Sequence, residues 1–205
     1  MSAPPAAARP TAVLIGLGLW LVVAVMLGAS GRLEALQPPL PQLTLLALTA
    51  GALWTTARVP AVRAWALTVD VRTLVAFHLT RFVGSYFLVL YGRGELPYAF
   101  AVPGGWGDIL VASLALLLLL SGAPETARRL RAYVFWNVLG LLDILFVVAT
   151  AARLAFAAPA SMEALLRLPL SLLPTFLVPL IITSHVLLAI RLARAGAARS
   201  APEAA

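Results

Sequence analysis

The sequence predicts an all-α polytopic membrane protein, a bundle of six transmembrane helices with both termini in the cytoplasm. Of its 205 residues, 62% are hydrophobic and only 11% are charged, and the mean hydropathy is +0.98. Soluble domains carry about 25% charged residues, so this chain is far too apolar for that class. All 15 basic residues are arginines, and almost all of them fall between apolar runs. That placement indicates membrane topology rather than nucleic-acid binding.

Six apolar runs approach the length of about 20 residues that a helix needs to cross a bilayer. They cover residues 11–30, 40–57, 71–91, 108–121, 133–152 and 170–190. The fourth run is short, so we expect it either to begin earlier, in the Pro/Gly-rich segment before it, or to thin the bilayer locally. The first run also fits a signal peptide, because Arg9 precedes it and small residues end it.

The arginines near span ends predict the orientation of the chain. With a cytoplasmic N-terminus, ten of them lie inside and four outside, as the positive-inside rule requires. The inner ten are Arg9, Arg58, Arg63, Arg72, Arg128, Arg129, Arg131, Arg191, Arg194 and Arg199, and the outer four are Arg32, Arg93, Arg153 and Arg167. The expected location is therefore the bacterial cytoplasmic (inner) membrane, with the lipid bilayer as the surroundings of the helices.

The two tails differ in composition from the spans. Residues 1–10 and 193–205 are rich in Ala and Pro and offer little to bury. We expect both to be disordered in the cytoplasm, which leaves residues 11–192 as a single transmembrane domain.

The only two histidines of the chain fall at one predicted depth. His78 lies about four residues, or ~6 Å, beyond the start of the apolar part of span three at Leu74. His185 lies a similar distance before the cytoplasmic end of span six at Ile190. Because these spans are antiparallel, we expect both imidazoles in one layer near the cytoplasmic side.

Three further polar residues lie in the same spans or in span five. Asn137 falls in the histidine layer, Arg81 lies one turn deeper, and Asp143 is close to the middle. A charge facing lipid is costly, so Arg81 and Asp143 should pair inside the bundle. On a regular helix, Ser85 would share the face of Arg81. The predicted polar path or binding site comprises His78, Arg81, Asn137, Asp143 and His185.

A second polar cluster is predicted on the outer face, in the segment from Tyr91 to Asp108. The segment is dense in glycine, proline and aromatic residues, which favours an ordered turn or a re-entrant segment. The outer-face cluster, a candidate gate or substrate mouth, consists of Arg93, Glu95, Trp106 and Asp108. A structural alternative makes Asp108 the N-cap of span four and Trp106 part of an interfacial aromatic belt.

Prolines interrupt span six. Pro174 and Pro179 each remove a helical hydrogen bond, which frees the carbonyl groups of Leu170 and Thr175. Neighbouring side chains or water must satisfy these carbonyls, so we expect either a kinked helix lining a cavity or a simple bend.

Missing residues exclude several chemistries. The chain has no cysteine for disulfides or thiolate ligands and no lysine for a Schiff base. It contains no HExxH, GxSxG or phosphate-binding glycine motif. Ser184 and His185 are adjacent in sequence, so they cannot face each other on a helix as a catalytic pair. No enzyme class is indicated.

Three functions remain open. The polar site binds or translocates protons or a small solute, as in a transporter. Alternatively, His78 and His185 are the axial ligands of a b-type haem. In the third reading the protein is a structural or regulatory subunit, whose polar residues only fix packing. The sequence does not name a cofactor or metal, and it leaves an oligomer open. We expect the stretch RFVGSYFLVLYGRGELPYAFAVPGGWGD to mark a bacterial family of small membrane proteins.

Overall fold

A computed structural model of the protein describes residues 10–200, and within this range the chain is helical without strands. The α-helices are α1 (Pro10–Ala29), α2 (Leu40–Arg58), α3 (Pro60–Thr68), α4 (Val71–Phe77), α5 (Gly84–Gly92), α6 (Tyr98–Ser121), α7 (Ala127–Ala157) and α8 (Val178–Ser200). Short 3₁₀ segments cover His78–Val83 and Pro159–Leu166, and a π-helical turn covers Leu173–Leu177. The tails predicted to be disordered fall partly in residues 1–9 and 201–205, outside the described residues.

Several of these helices are long and apolar enough to cross a membrane. Within residues 10–200 five stretches qualify alone, namely Pro10–Ala29, Val71–Gly92, Tyr98–Ser121, Ala127–Ala157 and Leu173–Arg199. The sixth candidate is the pair α2 and α3, which qualifies only as a broken span bent by 88°. The break falls at Val59, whose backbone is extended (φ −85°, ψ 112°) because the residue before a proline disfavours the helical conformation.

The fourth span, which the sequence predicted to be short, begins earlier in the Pro/Gly-rich segment before it. This was the first of the two alternatives, the other being local thinning of the bilayer. Helix α6 starts at Tyr98 and runs through Pro103, and Phe100 and Ala101 on its first turn are buried. Asp108 therefore lies well inside a helix, and the interpretation of Asp108 as an N-cap is wrong. Glycine and proline reduce helix propensity, which made this region resemble a loop, but packing of its apolar residues outweighs that preference.

Helix α7 extends the predicted fifth span at both ends. Its 31 residues correspond to about 46 Å, well beyond the ~30 Å hydrocarbon core. The added N-terminal turn carries the charged stretch Ala127–Ala132, which includes three arginines. Charge ends an apolar run but not a helix, because arginine is a good helix former.

The described chain divides into two compact units. One contains residues 10–69 and 152–183, and the other contains residues 70–151 and 184–200.

In the first unit, a tryptophan satisfies a carbonyl that proline leaves unpaired. Pro179 cannot bond the carbonyl of Thr175, and the indole Nε1–H of Trp20 donates to that oxygen at 2.8 Å. The rings of Trp20 and Phe176 also meet edge to face at 5.2 Å. The prediction that a neighbouring side chain would satisfy this carbonyl is confirmed.

Replacement of Trp20 by phenylalanine is expected to lower the free energy of unfolding by about 1 kcal/mol, because the Thr175 carbonyl loses its donor while an aromatic ring is kept. The measurement is reversible unfolding in mixed detergent micelles. Trp54→Phe is the matched control, since Trp54 lies in the same unit with 63% of its surface exposed. Equal losses in the two variants would refute a specific role for the indole hydrogen bond.

The first unit also contains an exposed ion-pair network. Arg167 Nε donates to Glu34 at 2.8 Å, and Arg167 Nη2 donates to Glu163 at 2.5 Å. The hydrogen bond to Glu34, followed by the charge of Glu163, raises the pKa of Arg167 above its ordinary value. All three side chains are at least one-third exposed, so solvent screens these contacts and they add little stability.

The second unit has an apolar core beside its polar residues. The core residues are Val75, Val111, Ala115, Leu130, Tyr133, Trp136, Leu188 and Leu192. They come from α4, α6, α7 and α8. The same four helices and the 3₁₀ segment after α4 therefore determine where the polar residues of this unit lie.

Candidate functional site

A 3₁₀ segment sets the spacing of the first polar residues. His78–Val83 has three residues per turn, so His78, Arg81 and Gly84 follow one another along one face. All three are buried, whereas Ser85 is exposed and donates to the carbonyl of Phe82. The expectation that Ser85 shares this face is wrong, because it assumed 3.6 residues per turn.

Arg81 is the centre of a buried charge cluster. Its Nε donates to Asp108 Oδ1 at 2.6 Å, its Nη1 donates to the carbonyl of Gly140 at 2.8 Å, and its Nη2 donates to Asp143 Oδ2. The side chains of Arg81 and Asp108 are 1% and 5% exposed, and that of Asp143 is 14% exposed. The predicted contact between Arg81 and Asp143 is confirmed, and a second carboxylate joins it.

The predicted outer-face cluster does not come together as one group. Asp108 is buried against Arg81, while Arg93 and Glu95 are exposed in the turn between α5 and α6. Trp106, on α6, is 60% exposed. The two aspartates and one arginine thus form a site that combines members of both predicted clusters.

Glycines make room for this cluster. A Cβ on Gly84 would stand 2.5 Å from the carbonyl oxygen of Gly105, and one on Gly105 would stand 2.7 Å from the carbonyl oxygen of Gly84. Asp108 lies one turn beyond Gly105, and its Cβ would be 2.7 Å from the same Cβ on Gly84. A Cβ on Gly107 would clash with the carboxylate of Asp143. Close approach of two backbones is therefore the condition for Arg81 to meet both acids.

Both the nitrogen and the oxygen of the Asn137 side-chain amide contact His185. Asn137 Nδ2 donates to the backbone carbonyl of His185 at 3.1 Å, and Asn137 Oδ1 lies 2.9 Å from His185 Nδ1. His185 is fully buried, and its Nε2 has no hydrogen-bond partner. Gly140 packs against the ring, because a Cβ there would lie 2.7 Å from His185 Cε1 and 3.0 Å from Nε2. Gly140 thus touches His185 and, through its carbonyl, Arg81.

The two histidines are in direct contact, as their shared depth permitted. Their ring centroids are 4.2 Å apart, and the rings are tilted by 49°. His78 Nε2 lies 3.0 Å from the hydroxyl of Ser184, and His78 Nδ1 has no hydrogen-bond partner. The indole of Trp136 meets His78 edge to face at 5.0 Å. All five predicted path residues therefore lie in the second unit, joined by short contacts.

Sequence reasoning missed the roles of Ser184 and Gly140, and it placed Asp108 in the outer-face cluster rather than beside Arg81. Ser184 was compared with His185, its neighbour in sequence, although its partner is His78 in another helix. Gly140 lies on the same face of α7 as Asn137 and Asp143, which was the available signal for its role. Asp108 is preceded by three glycines within five residues, a pattern that also marks close helix packing.

The contact between Ser184 and His78 is not a complete catalytic arrangement. In hydrolytic triads a third group orients the histidine by bonding its other nitrogen. His78 Nδ1 lacks such a group, and both side chains are buried. Within residues 10–200, no three His, Cys, Asp or Glu side chains are grouped to hold a metal ion.

The family relationship covers this whole site. Residues 38–193 match the family described as a domain of unknown function, DUF8737. The chain belongs to this family. No curated protein and no solved structure matches the chain. The DUF8737 match begins two residues before α2 and ends inside α8, so it includes Arg81, both aspartates and both histidines, whereas α1 lies before it.

Proposed function

We propose that this DUF8737 protein is a six-span protein of the bacterial cytoplasmic membrane that binds and translocates protons through its buried polar site. Five apolar helices and the bent pair α2–α3 support six spans. Ten arginines inside against four outside support cytoplasmic termini. The lipid bilayer is the medium, nucleic acid is not a partner, and self-association is compatible with the fold.

The observation that carries the proposal is the charge imbalance around Arg81. One guanidinium faces two carboxylates, Asp108 and Asp143, in a buried setting. Uncompensated charge in the membrane interior is costly, so one additional positive charge is needed for neutrality. A proton on one carboxylate supplies it. Asp143 is the more accessible of the two acids, so it is the better candidate for proton exchange.

Proton flux in proteoliposomes tests this function. With an imposed membrane potential, the wild-type protein should acidify or alkalise an internal pH-sensitive dye faster than protein-free vesicles. Asp143→Asn should remove most of this flux, because it deletes an exchangeable proton site while keeping an oxygen that accepts from Arg81. Glu125→Gln is the control, since Glu125 is an exposed carboxylate of the same unit.

Other outcomes of the flux measurement would favour a different function. Flux that appears only when a small solute is added would make the protein a solute carrier, with the proton as a coupled ion. Wild-type flux no faster than that of protein-free vesicles would defeat translocation. If Asp143→Asn also impaired assembly in that case, the result would favour a structural or regulatory subunit.

The haem alternative fits the geometry poorly. Two axial histidines stand on opposite faces of the macrocycle with the iron between them. Here the imidazoles touch each other at a centroid distance of 4.2 Å, and one nitrogen of each already contacts Ser184 or Asn137. No slot for a macrocycle lies between the rings, so the two imidazoles are not placed to be the axial ligands of a haem.

A further inference from the structure

We propose that Asn137 is a positioning residue that fixes the tautomer of His185, so that the lone pair of His185 Nε2 is the proton-accepting atom of the buried site. This inference deepens the proposed function and rests on it for the role of the proton. The tautomer of His185 follows from geometry alone, and it can be tested without measuring proton transport.

The hydrogen bonds of Asn137 determine where the proton of His185 lies. A backbone carbonyl only accepts hydrogen bonds, so the amide nitrogen of Asn137 must face the carbonyl of His185, as it does at 3.1 Å. The amide oxygen then faces His185 Nδ1 at 2.9 Å. That oxygen also only accepts, so Nδ1 carries the hydrogen. A flipped amide would set two acceptors against each other at the carbonyl.

The neutral imidazole carries one N–H, so His185 Nε2 is left with a lone pair. This nitrogen is buried without a hydrogen-bond partner. Buried polar atoms in proteins are nearly always paired, and an exception calls for a functional explanation. An exchangeable proton that visits Nε2 provides one.

Packing around the imidazole of His185 limits the size of any species that could bind at Nε2. On the Gly140 side, even a methyl group would stand 2.7 Å from His185 Cε1 and 3.0 Å from Nε2. The same methyl group would also crowd Val111 Cγ1 at 3.1 Å. This side of the ring therefore has no room for a bulky ligand, and a proton is the smallest species that the lone pair can accept.

The charge cluster around Arg81 lies next to the ring of His185. His78 contacts the ring of His185, and Gly140 touches the same ring while its carbonyl accepts from Nη1 of Arg81. Asp108 and Asp143 act through Arg81, because both accept its hydrogen bonds. The cluster carries one positive and two negative charges, and a proton on His185 or on Asp143 would supply the missing positive charge. Protonation of Asp143 and of His185 should exclude each other.

His78 provides a useful contrast. Its Nε2 faces the hydroxyl of Ser184, which can either donate or accept. The contact with a hydroxyl does not by itself assign the tautomer of His78, whereas the amide of Asn137 assigns that of His185.

Nitrogen NMR of the full-length protein, labelled with ¹⁵N in its two histidines, tests the tautomer. For wild type we expect His185 Nδ1 in the protonated range and Nε2 in the unprotonated range, with assignment by His78→Gln. Asn137→Asp should keep this pattern when its carboxyl is protonated, because the O–H then donates to the His185 carbonyl and the other oxygen accepts from Nδ1. Asn137→Leu should populate the Nε2–H tautomer. A protonated Nε2 in the neutral ring of wild type would overturn the inference without recourse to any variant.

Proton flux separates this inference from the proposed function. Asn137→Leu should reduce flux by roughly 10- to 100-fold, the range found when the hydrogen-bond partner that orients a metal-ligating histidine is removed. His185→Gln should reduce it at least as much, and wild-type flux in His185→Gln would overturn the acceptor role. The expected spectrum in a protein without flux would leave the positioning by Asn137 intact and refute translocation. Flux in a protein whose His185 carries the opposite tautomer would support translocation and refute the positioning by Asn137.

Discussion

Replacement of Arg81 by methionine should be the most damaging single change at the site, lowering the free energy of unfolding by about 3–5 kcal/mol. The reason is that Asp108 and Asp143 would remain buried without the guanidinium that bonds both of them. Methionine retains much of the volume, so loss of packing is a minor contribution. Reversible unfolding in mixed micelles provides the measurement.

Removal of the two acids should partly rescue this variant. Adding Asp108→Asn and Asp143→Asn to Arg81→Met removes both carboxyl groups that lack their partner, so the triple variant should be more stable than Arg81→Met alone. Arg93→Met is the matched control, because Arg93 is exposed in the same unit and its loss should change little. Strictly additive losses across the three sites would show that the cluster is not coupled.

The contact between Arg81 and Asp143 could be predicted because the solvent imposes it. Each charge falls deep in an apolar run, and lipid offers no hydrogen bonds, so the two had to find each other. The same argument applies to Asp108, but the sequence placed it in the outer-face cluster or at the N-cap of span four. Glycine and proline around it suggested a loop, and only the tertiary packing of α6 against the segment of Gly84 makes a helix favourable there.

The histidine contacts were only partly predictable. Counting residues from the span ends placed His78 and His185 at one depth, and the rings do touch. Depth is one coordinate, however, and does not show which nitrogen meets which partner. The pairing of His185 with Asn137 and of His78 with Ser184 depends on helix rotation, which the 3₁₀ segment after α4 alters. A periodicity of 3.6 residues cannot anticipate that change.

Replacement of Gly84 by alanine should also have a large effect, at the upper end of the 1–3 kcal/mol that overpacking costs. The new Cβ would lie 2.5 Å from the carbonyl oxygen of Gly105, which is backbone and cannot turn aside as a side chain would. The segment carrying Arg81 and helix α6 would have to separate. Since Asp108 lies on α6, the bond between Arg81 and Asp108 should lengthen or break.

Gly92→Ala is the matched control for Gly84→Ala. Both residues belong to α5, and a Cβ on Gly92 would meet nothing within 4 Å. The control should be neutral or slightly stabilising, because alanine is the better helix former. A double-mutant cycle on Arg81→Met and Asp108→Asn in the Gly84→Ala background should show a smaller coupling energy than in wild type. Equal stability of the two alanine variants, with unchanged coupling, would mean that the backbones can approach differently and that Gly84 does not position Arg81.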